Sequence, residues 1–287
     1  MKRLILLLVT MAAIMAKLRT SAVAAMSMFF GATLALAVLG LMVLGGDRAL
    51  AASQVSCGET ITTDTTLHSD LLNCKNHGIV IGADGITLDL NGHLIDGDGT
   101  QAAGCDPQTE VCDVGVFNKG HDGVTIRGGS VRQFNAGVLG FRVSHNRLLG
   151  ISSSGNYFDI LLNRATRSLI RNCSLSDSDN GAMFLIESHH VQVLHNSIRH
   201  SGYGVAEPEA GFNVFDSTDN LIAHNSFSGN KGSAIYMLHG ADRNRVIHNS
   251  SVRDADGIVI KEHSDRNVIA RNHIAYASKE PPTTATV

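Results

Sequence analysis

The chain has 287 residues, a formal charge of −3 and 17% charged residues. That balance excludes the basic footprint of a protein held to nucleic acid by bulk charge, and equally the acidic composition of a disordered tail. Gly 29 against Pro 4, with no Trp, describes a chain that turns often yet keeps its backbone N–H groups for strand ladders.

The first element covers residues 1–52. Lys2 and Arg3 precede an apolar run over residues 4–14, Lys17 and Arg19 precede a second over residues 21–44, and Ala49-Leu50-Ala51 is a small-x-small cleavage signal. The pattern is that of a secretory signal peptide, with Met15 as a second candidate start, and export with cleavage is the expected fate. Residues 21–45 are also long enough to span a bilayer, so an uncleaved membrane anchor is the alternative; a membrane enters the reading only here. In both cases the remainder is expected to be secreted, periplasmic or displayed on the cell surface.

Residues 53–78 come next and carry Cys57 and Cys74, while an irregular stretch further on carries Cys105 and Cys112. Two local pairs in an exported chain read as disulfides, with Cys105–Cys112 the safer pairing. Cys173 is left over as a structural thiol, and no Cys-x-x-Cys suggests a cysteine metal site.

From Ile79 onward apolar residues alternate in short β-branched runs, as in Ile79-Val80-Ile81 and Val124-Thr125-Ile126, which is strand periodicity. A repeat then appears: Ser168-Leu-Ile-Arg-Asn172, Val191-Gln-Val-Leu-His-Asn196, Asn220-Leu-Ile-Ala-His-Asn225, Asn244-Arg-Val-Ile-His-Asn249 and Asn267-Val-Ile-Ala-Arg-Asn272. The closing asparagines are 24, 29, 24 and 23 residues apart. Such a period with short strands means one coil of a β-solenoid per repeat. Each repeat shows two runs, one led by a small residue, as in Gly257-Ile-Val-Ile260, and one closing on the asparagine. Carried upstream to Asn91, Gly128 and Ile151, the register predicts about eight coils over residues 79–278, a stack about 40 Å long at about 4.8 Å per coil. Residues 53–78 then read as an N-terminal cap over the open edge, and residues 279–287 as a disordered tail.

In such a stack like side chains form columns. Ile170, Val193 or Leu194, Ile222, Ile247 and Ile269 are expected inside. Asn172, Asn196, Asn225, Asn249 and Asn272 are expected to form a structural ladder in which each amide donates to the next, with Asn220, Asn244 and Asn267 as a second column.

The segments Cys57-Gly-Glu-Thr-Ile-Thr62, Asp70-Leu-Leu-Asn-Cys74 and Ile81-Gly-Ala-Asp-Gly-Ile-Thr-Leu-Asp-Leu-Asn-Gly-His93, with the Gly/Ile/Ser/Asn repeats after them, resemble secreted bacterial right-handed parallel β-helix repeat proteins over about residues 57–276. They are similar to the NosD-type and the carbohydrate-binding and sugar-hydrolase-type β-helices. The resemblance implies an all-β, single-domain, right-handed parallel β-helix of the pectate-lyase-like kind. Relatives of that architecture include pectate lyases, polygalacturonases, alginate lyases, epimerases and a periplasmic factor for copper-enzyme maturation. Neither the Asp-Pro-His-Asp run of the epimerases nor the Gly-His-Gly of the polygalacturonases occurs here.

Chemistry is expected where the coils lengthen, at residues 96–114 and 201–210, because insertions in solenoids map to one face. Asp177 and Asp179 fall at that corner on one coil, Glu207 and Glu209 on the next, and Asp254 further along, with Arg132, Arg199 and Arg253 nearby. A carboxylate pair there could act as acid and base or nucleophile on a glycosidic bond, several oxygens could bind calcium, and arginine could clamp a sugar carboxylate. The competing reading is that Asp, Asn and Gly fill turns because turns require them. Tyr203, Phe212 and Tyr236 offer sugar-stacking faces. His195, His224 and His248 each precede a closing asparagine and should stack outward in one column, continued by Arg171 and Arg271, where imidazoles could share copper or zinc; a solvated polar ladder is the competing reading. Lys261, Glu262 and His263 end a strand near Glu187, Asp216 and His239, either as a lysine base for a uronate or as solvated ion pairs.

The expected function is binding of an extracellular polysaccharide, uronate-type above others, with cleavage by lyase or hydrolase chemistry, or epimerisation, if the chain is an enzyme. The alternatives are a non-enzymatic metal-handling accessory of the NosD kind and a structural or adhesive surface protein. Nucleic acid is not an expected partner.

Overall fold

The computed structural model describes residues 55–100, 113–203 and 210–275, which belong to one compact unit. The N-terminal apolar segment, Cys105, Cys112, Glu207, Glu209 and the tail lie outside the described residues. Among the described residues every regular element is a strand, and no helix is long and apolar enough to cross a membrane.

The strands form two sheets, one of nine strands and one of sixteen, and all their pairings are parallel. Each strand pairs with its counterpart one coil later. Thus Glu59, Thr60 and Ile61 align with Ile79, Val80 and Ile81. The chain is a parallel β-helix of nine coils, one strand of the nine-stranded sheet to each. The ninth comes from the segment expected to act as a cap: Glu59–Ile61, Thr65–Thr66 and Leu71–Cys74 are the first coil. A disulfide between Cys57 and Cys74 closes that coil across 17 residues of sequence.

Seven of the nine coils also have three strands where two were expected; in the other two, Thr125–Arg132 and Arg147–Ser154 run through the bend as single strands. One coil consists of Gly181–Ile186 in the nine-stranded sheet, then Gln192–Leu194 and Ser197–Arg199 in the other. The run that ends on asparagine is bent there into two arms. The bend comes from a left-handed residue, His195 at φ 57, followed by the inward-pointing Asn196. The same corner recurs in register at Gly150, Asn172, His224, His248 and Arg271, with φ from 57 to 61. A left-handed conformation costs an L-residue about 1–2 kcal/mol, and the ladder behind the corner offsets it. Asn196 Nδ2 donates to Asn225 Oδ1, Asn225 Nδ2 to Asn249 Oδ1 and Asn249 Nδ2 to Asn272 Oδ1, each at 3.0 Å. Each oxygen also accepts the backbone N–H of the preceding coil, so the side-chain amides of this ladder are buried with partners.

The expected column needs one correction. Leu169, Ile170 and Arg171 align with Gln192, Val193 and Leu194, so Asn172 aligns with His195 and stands exposed at the left-handed corner. Cys173 holds the ladder position, and its N–H donates to Asn196 Oδ1 at 2.9 Å. Arg171 is therefore one place off the histidine column, which Arg271 does continue. The second column exists, but the Nδ2 groups of Asn220, Asn244 and Asn267 donate to the carbonyls of Ser188, Ser217 and Ala241, and the column is joined instead by the backbone N–H groups of Asn220 and Asn244, which donate to Oδ1 of Asn244 and Asn267. Inside, Ile170, Val193, Ile222 and Val246 are fully buried in register, Val246 standing where Ile247 was expected.

Candidate functional site

Both insertions leave from one corner, between the second arm of a coil and the next strand of the nine-stranded sheet. One lies between Leu94–Gly97 and Val114–Lys119, the other between Ser197–Arg199 and Phe212–Phe215, four coils apart or about 19 Å. A groove of about 470 Å³ lies at this corner beside the first insertion, lined by Gly99, Thr100, Asp113, Gln133, Phe134, Asn135, Gly155, Tyr157 and Asp179.

Asp113 is the unusual member. It is 3% exposed, Oδ2 accepts the N–H of Asn135 at 2.9 Å, and the buried Oδ1 has no partner. Burial pushes its carboxyl up to about 6, the Asn135 N–H opposes this, and the charge of Asp98 adds to it. Asp98 moves the other way: Thr100 donates to Oδ1 from its hydroxyl at 2.7 Å and its N–H at 3.0 Å, which lowers its pKa. At the root of the same insertion Arg132 holds Asp96 with two bonds, at 2.9 and 3.0 Å, so Arg132 is engaged and does not reach out as a sugar clamp.

The other expected acidic residues divide. Asp179 lines the groove and is exposed. Asp177 occupies a left-handed corner at φ 59, as Arg253 does at φ 62 three coils on, which is the turn role. Asp254 is corrected from a catalytic candidate to a ladder member. It is buried, Oδ1 accepts the N–H and Nδ2 of Asn230 at 2.9 and 2.7 Å, and Oδ2 accepts the hydroxyl of Ser251 at 2.7 Å. Burial raises its carboxyl and those bonds oppose the rise. Arg199 lies on the outer face of the second arm, beside Ser176 and Ser228 rather than beside the groove. Tyr203 is 63% exposed and its hydroxyl donates to the Gly229 carbonyl.

Phe212 is corrected from a stacking face to a fully buried core residue. The aromatic row is instead Tyr157, Phe158, Phe184, Phe215 and Tyr236, each edge to face with the next at 4.6, 4.7, 6.1 and 6.3 Å between centroids. It runs from the groove along the nine-stranded sheet. The alternation in Gly181-Ala-Met-Phe-Leu-Ile186 was the available signal: Met183 and Leu185 fill the core, so Phe184 points to the other side of the sheet, where its neighbours leave it only 4% exposed. The strand-end set resolves into pairs, Glu187 with Arg164 and His239 with Glu262, while Lys261 Nζ stands 5.5 Å from the Tyr236 ring centroid.

His195, His224 and His248 do stack outward, with centroids 4.9 and 5.1 Å apart and ring planes within 8°. The left-handed corner, not strand alternation, turns them out. Parallel rings set their nitrogens side by side instead of converging them on a point, so the copper or zinc reading is corrected to a polar ladder. Among the described residues no group of three or more His, Cys, Asp or Glu is arranged to hold a metal, which applies to calcium as well.

Two parallel sheets wound through nine coils, with insertions at one corner, define a parallel β-helix. The chain belongs to the family described as the right handed beta helix region, whose model matches residues 60–274. No curated protein matches the sequence. Among solved structures, an alginate lyase from Paenibacillus sp. str. FPU-7 superposes with a TM-score of 0.50 at 10% identity, over 77% of this chain and 89% of that one. The catalytic domain of a GH87 alpha-1,3-glucanase in complex with nigerose gives 0.41 at 14% identity over 70% of this chain, which spans only 40% of it. The tailspike protein of E. coli bacteriophage HK620, in complex with a pentasaccharide, gives 0.47 at 13% identity over 78% of this chain and 45% of that one. At these identities the likeness is one of fold.

Proposed function

We propose that the protein is exported, binds an extracellular polysaccharide of the uronate type along the groove and aromatic row, and hydrolyses it. The observation that carries the reading is the carboxyl pair at the first insertion. Asp113 keeps its proton to about pH 6 while Asp98 is held ionised, and a pair of carboxyl groups pushed apart in this way divides the work of acid and base. Asp113 protonates the leaving glycosidic oxygen. Asp98 takes the proton of the attacking water, so the bond to the leaving sugar breaks as the bond to water oxygen forms. Tyr157 lines the groove with Asp113, and the half-buried rings of Phe158, Phe215 and Tyr236 extend the contact to further sugars. The alginate lyase, the glucanase and the tailspike are named as polysaccharide-acting or oligosaccharide-bound proteins, which is consistent with such a substrate.

The test incubates the purified protein with polygalacturonate, alginate and neutral glucans and measures new reducing ends. Asp113→Asn should lower the rate at least about 100-fold with binding retained, as expected when a general acid is removed. The wild-type rate should fall as pH rises through about 6, where Asp113 loses its proton. Reducing ends appearing at equal rates with Asp113→Asn would remove the pair from the chemistry.

A further inference from the structure

We propose that the outer corner between the two arms of the sixteen-stranded sheet is a second binding surface, a cationic ridge that takes a polyanionic polysaccharide along the solenoid axis. The proposal rests on the reading of the protein as a polysaccharide binder and adds where a charged polymer is held.

The ridge spans six successive coils, formed by residues 147–154, 169–176, 192–199, 221–228, 245–252 and 268–275. These segments contain Arg147, Arg171, Arg199, Arg245 and Arg271 and not one Asp or Glu, in a chain whose formal charge is −3. All five arginines are exposed, and none makes an ion pair among the described residues. The contrast one coil earlier is informative. Arg127 and Arg132 occupy the same sheet and are both neutralised, by Asp89 and Asp96 on the neighbouring coil. From the next coil onward the arginines continue and the carboxylates stop. By register Arg147 and Arg245 stand on the first arm, Arg171 and Arg271 beside and at the bend, and Arg199 on the second arm, so that five of the six coils carry one. Unpaired guanidinium groups are suited to carboxylate or sulfate oxygens, which they grip with two parallel bonds.

The spacing is as regular as the charge. The stacked imidazoles of His195, His224 and His248 run along the crest and lead in register to Arg271. In either tautomer each imidazole keeps one N–H to donate. Beside them Ser152, Ser174, Ser197, Ser226 and Ser250 align coil after coil, facing outward. Three coils spell the unit outright as His-Asn-Ser, with the asparagine inside and the other two side chains outside. A ligand that repeats carboxylates and hydroxyls along a straight backbone matches this arrangement of cations, N–H donors and hydroxyls at about 4.8 Å per coil.

Nucleic acid and membrane fit less well. Stacking of unpaired bases needs exposed aromatic rings, and the one Phe, Tyr or Trp in these segments is Phe227, which is 1% exposed. Docking on a bilayer needs apolar anchors along the surface, whereas the large exposed apolar residues here, Val268 and Ile274, both sit in the last coil.

The test measures binding by affinity electrophoresis in gels containing polygalacturonate, its methyl ester, or no polymer. Arg171→Gln, Arg245→Gln and Arg271→Gln are combined, since these exposed side chains make no ion pair among the described residues and do not line the groove. The expected result is at least tenfold weaker binding of polygalacturonate by the triple variant, weak binding of the neutral ester by both proteins, and a flatter dependence on salt in the variant. Circular dichroism confirms that the variant is folded. Unchanged affinity in a folded variant, or equal binding of the ester, overturns the ridge while leaving the groove reading intact. Binding of duplex DNA or phosphatidylserine vesicles that exceeds that of polygalacturonate, and is lost in the variant, overturns the polysaccharide assignment. Failure to bind any polysaccharide overturns both readings.

Discussion

Replacing Asp159 by asparagine should change stability in a way that depends on pH, and the size of the effect follows from what surrounds the carboxyl. Asp159 is fully buried near the start of the strand Phe158–Asn163. Ser178 Oγ donates to Oδ2 at 2.6 Å, and Asn156 Nδ2 and Ser153 Oγ donate to Oδ1 at 2.8 and 3.0 Å. No cation accompanies these bonds. Desolvation therefore dominates and raises the carboxyl to about 7, against the hydrogen bonds that lower it. A raised carboxyl binds its proton more tightly in the folded chain than in the unfolded one. Its contribution is consequently best at low pH and is lost as pH rises from the unfolded value near 4 to about 7. Between pH 5 and pH 8 the ionising carboxyl should cost the wild type about 3 kcal/mol that a neutral amide does not lose. Asp159→Asn should thus be near neutral or slightly destabilising at pH 5, where the amide must rearrange the serine hydroxyls, and stabilising relative to wild type at pH 8. Urea unfolding followed by circular dichroism at the two pH values gives the comparison. A stability difference between variant and wild type that is the same at pH 5 and pH 8 would refute the account of a carboxyl held protonated by burial.

Three further outcomes follow from the corners and the first coil. Asn225→Ala removes the acceptor of both Asn196 groups and the donor to Val193 O and Asn249 Oδ1, so it should destabilise by about 3 kcal/mol or more in the same assay. Cys173→Asn should be tolerated or gain up to about 1 kcal/mol, because Sγ already points at Leu148 O as each ladder amide points at a carbonyl one coil back, whereas Cys173→Leu should lower the midpoint. Reduction of Cys57–Cys74 should cost about 3 kcal/mol on a chain-entropy basis, and protease cleavage should then appear first within residues 57–78.

Much of the fold was legible because the repeat is written in the residues that must point inward. Asn196, Asn225 and Asn249 are spaced by the coil itself, and the ladder could be read from them. Asn172 misled because two neighbouring columns both accept asparagine, for different reasons. The ladder uses its amide, and the left-handed corner uses its tolerance of positive φ. Only the register with Gln192, Val193 and Leu194 separates the two. Histidine and arginine at the bend, His195, His224, His248 and Arg271, carry no turn signature, so the third strand of most coils stayed hidden. The candidate site was legible in place but not in person. The insertions and Asp179 marked the corner where the groove lies, while Asp113 sits just after an irregular stretch and differs from other aspartates only through burial. Its neighbour in function, Asp98, is set apart by a bond from Thr100 two residues on, which sequence alone presents as an ordinary turn.

Because every coil turns at equivalent corners and hands its hydrogen bonds to the coil above and below, lineages could add or drop one whole winding without redesigning the others. The protein's length then behaves as a ruler graduated in single steps. A descendant with one extra winding would lengthen its outer row of arginine and histidine by one notch, and so retune its grip on a longer stretch of polymer while leaving the groove untouched.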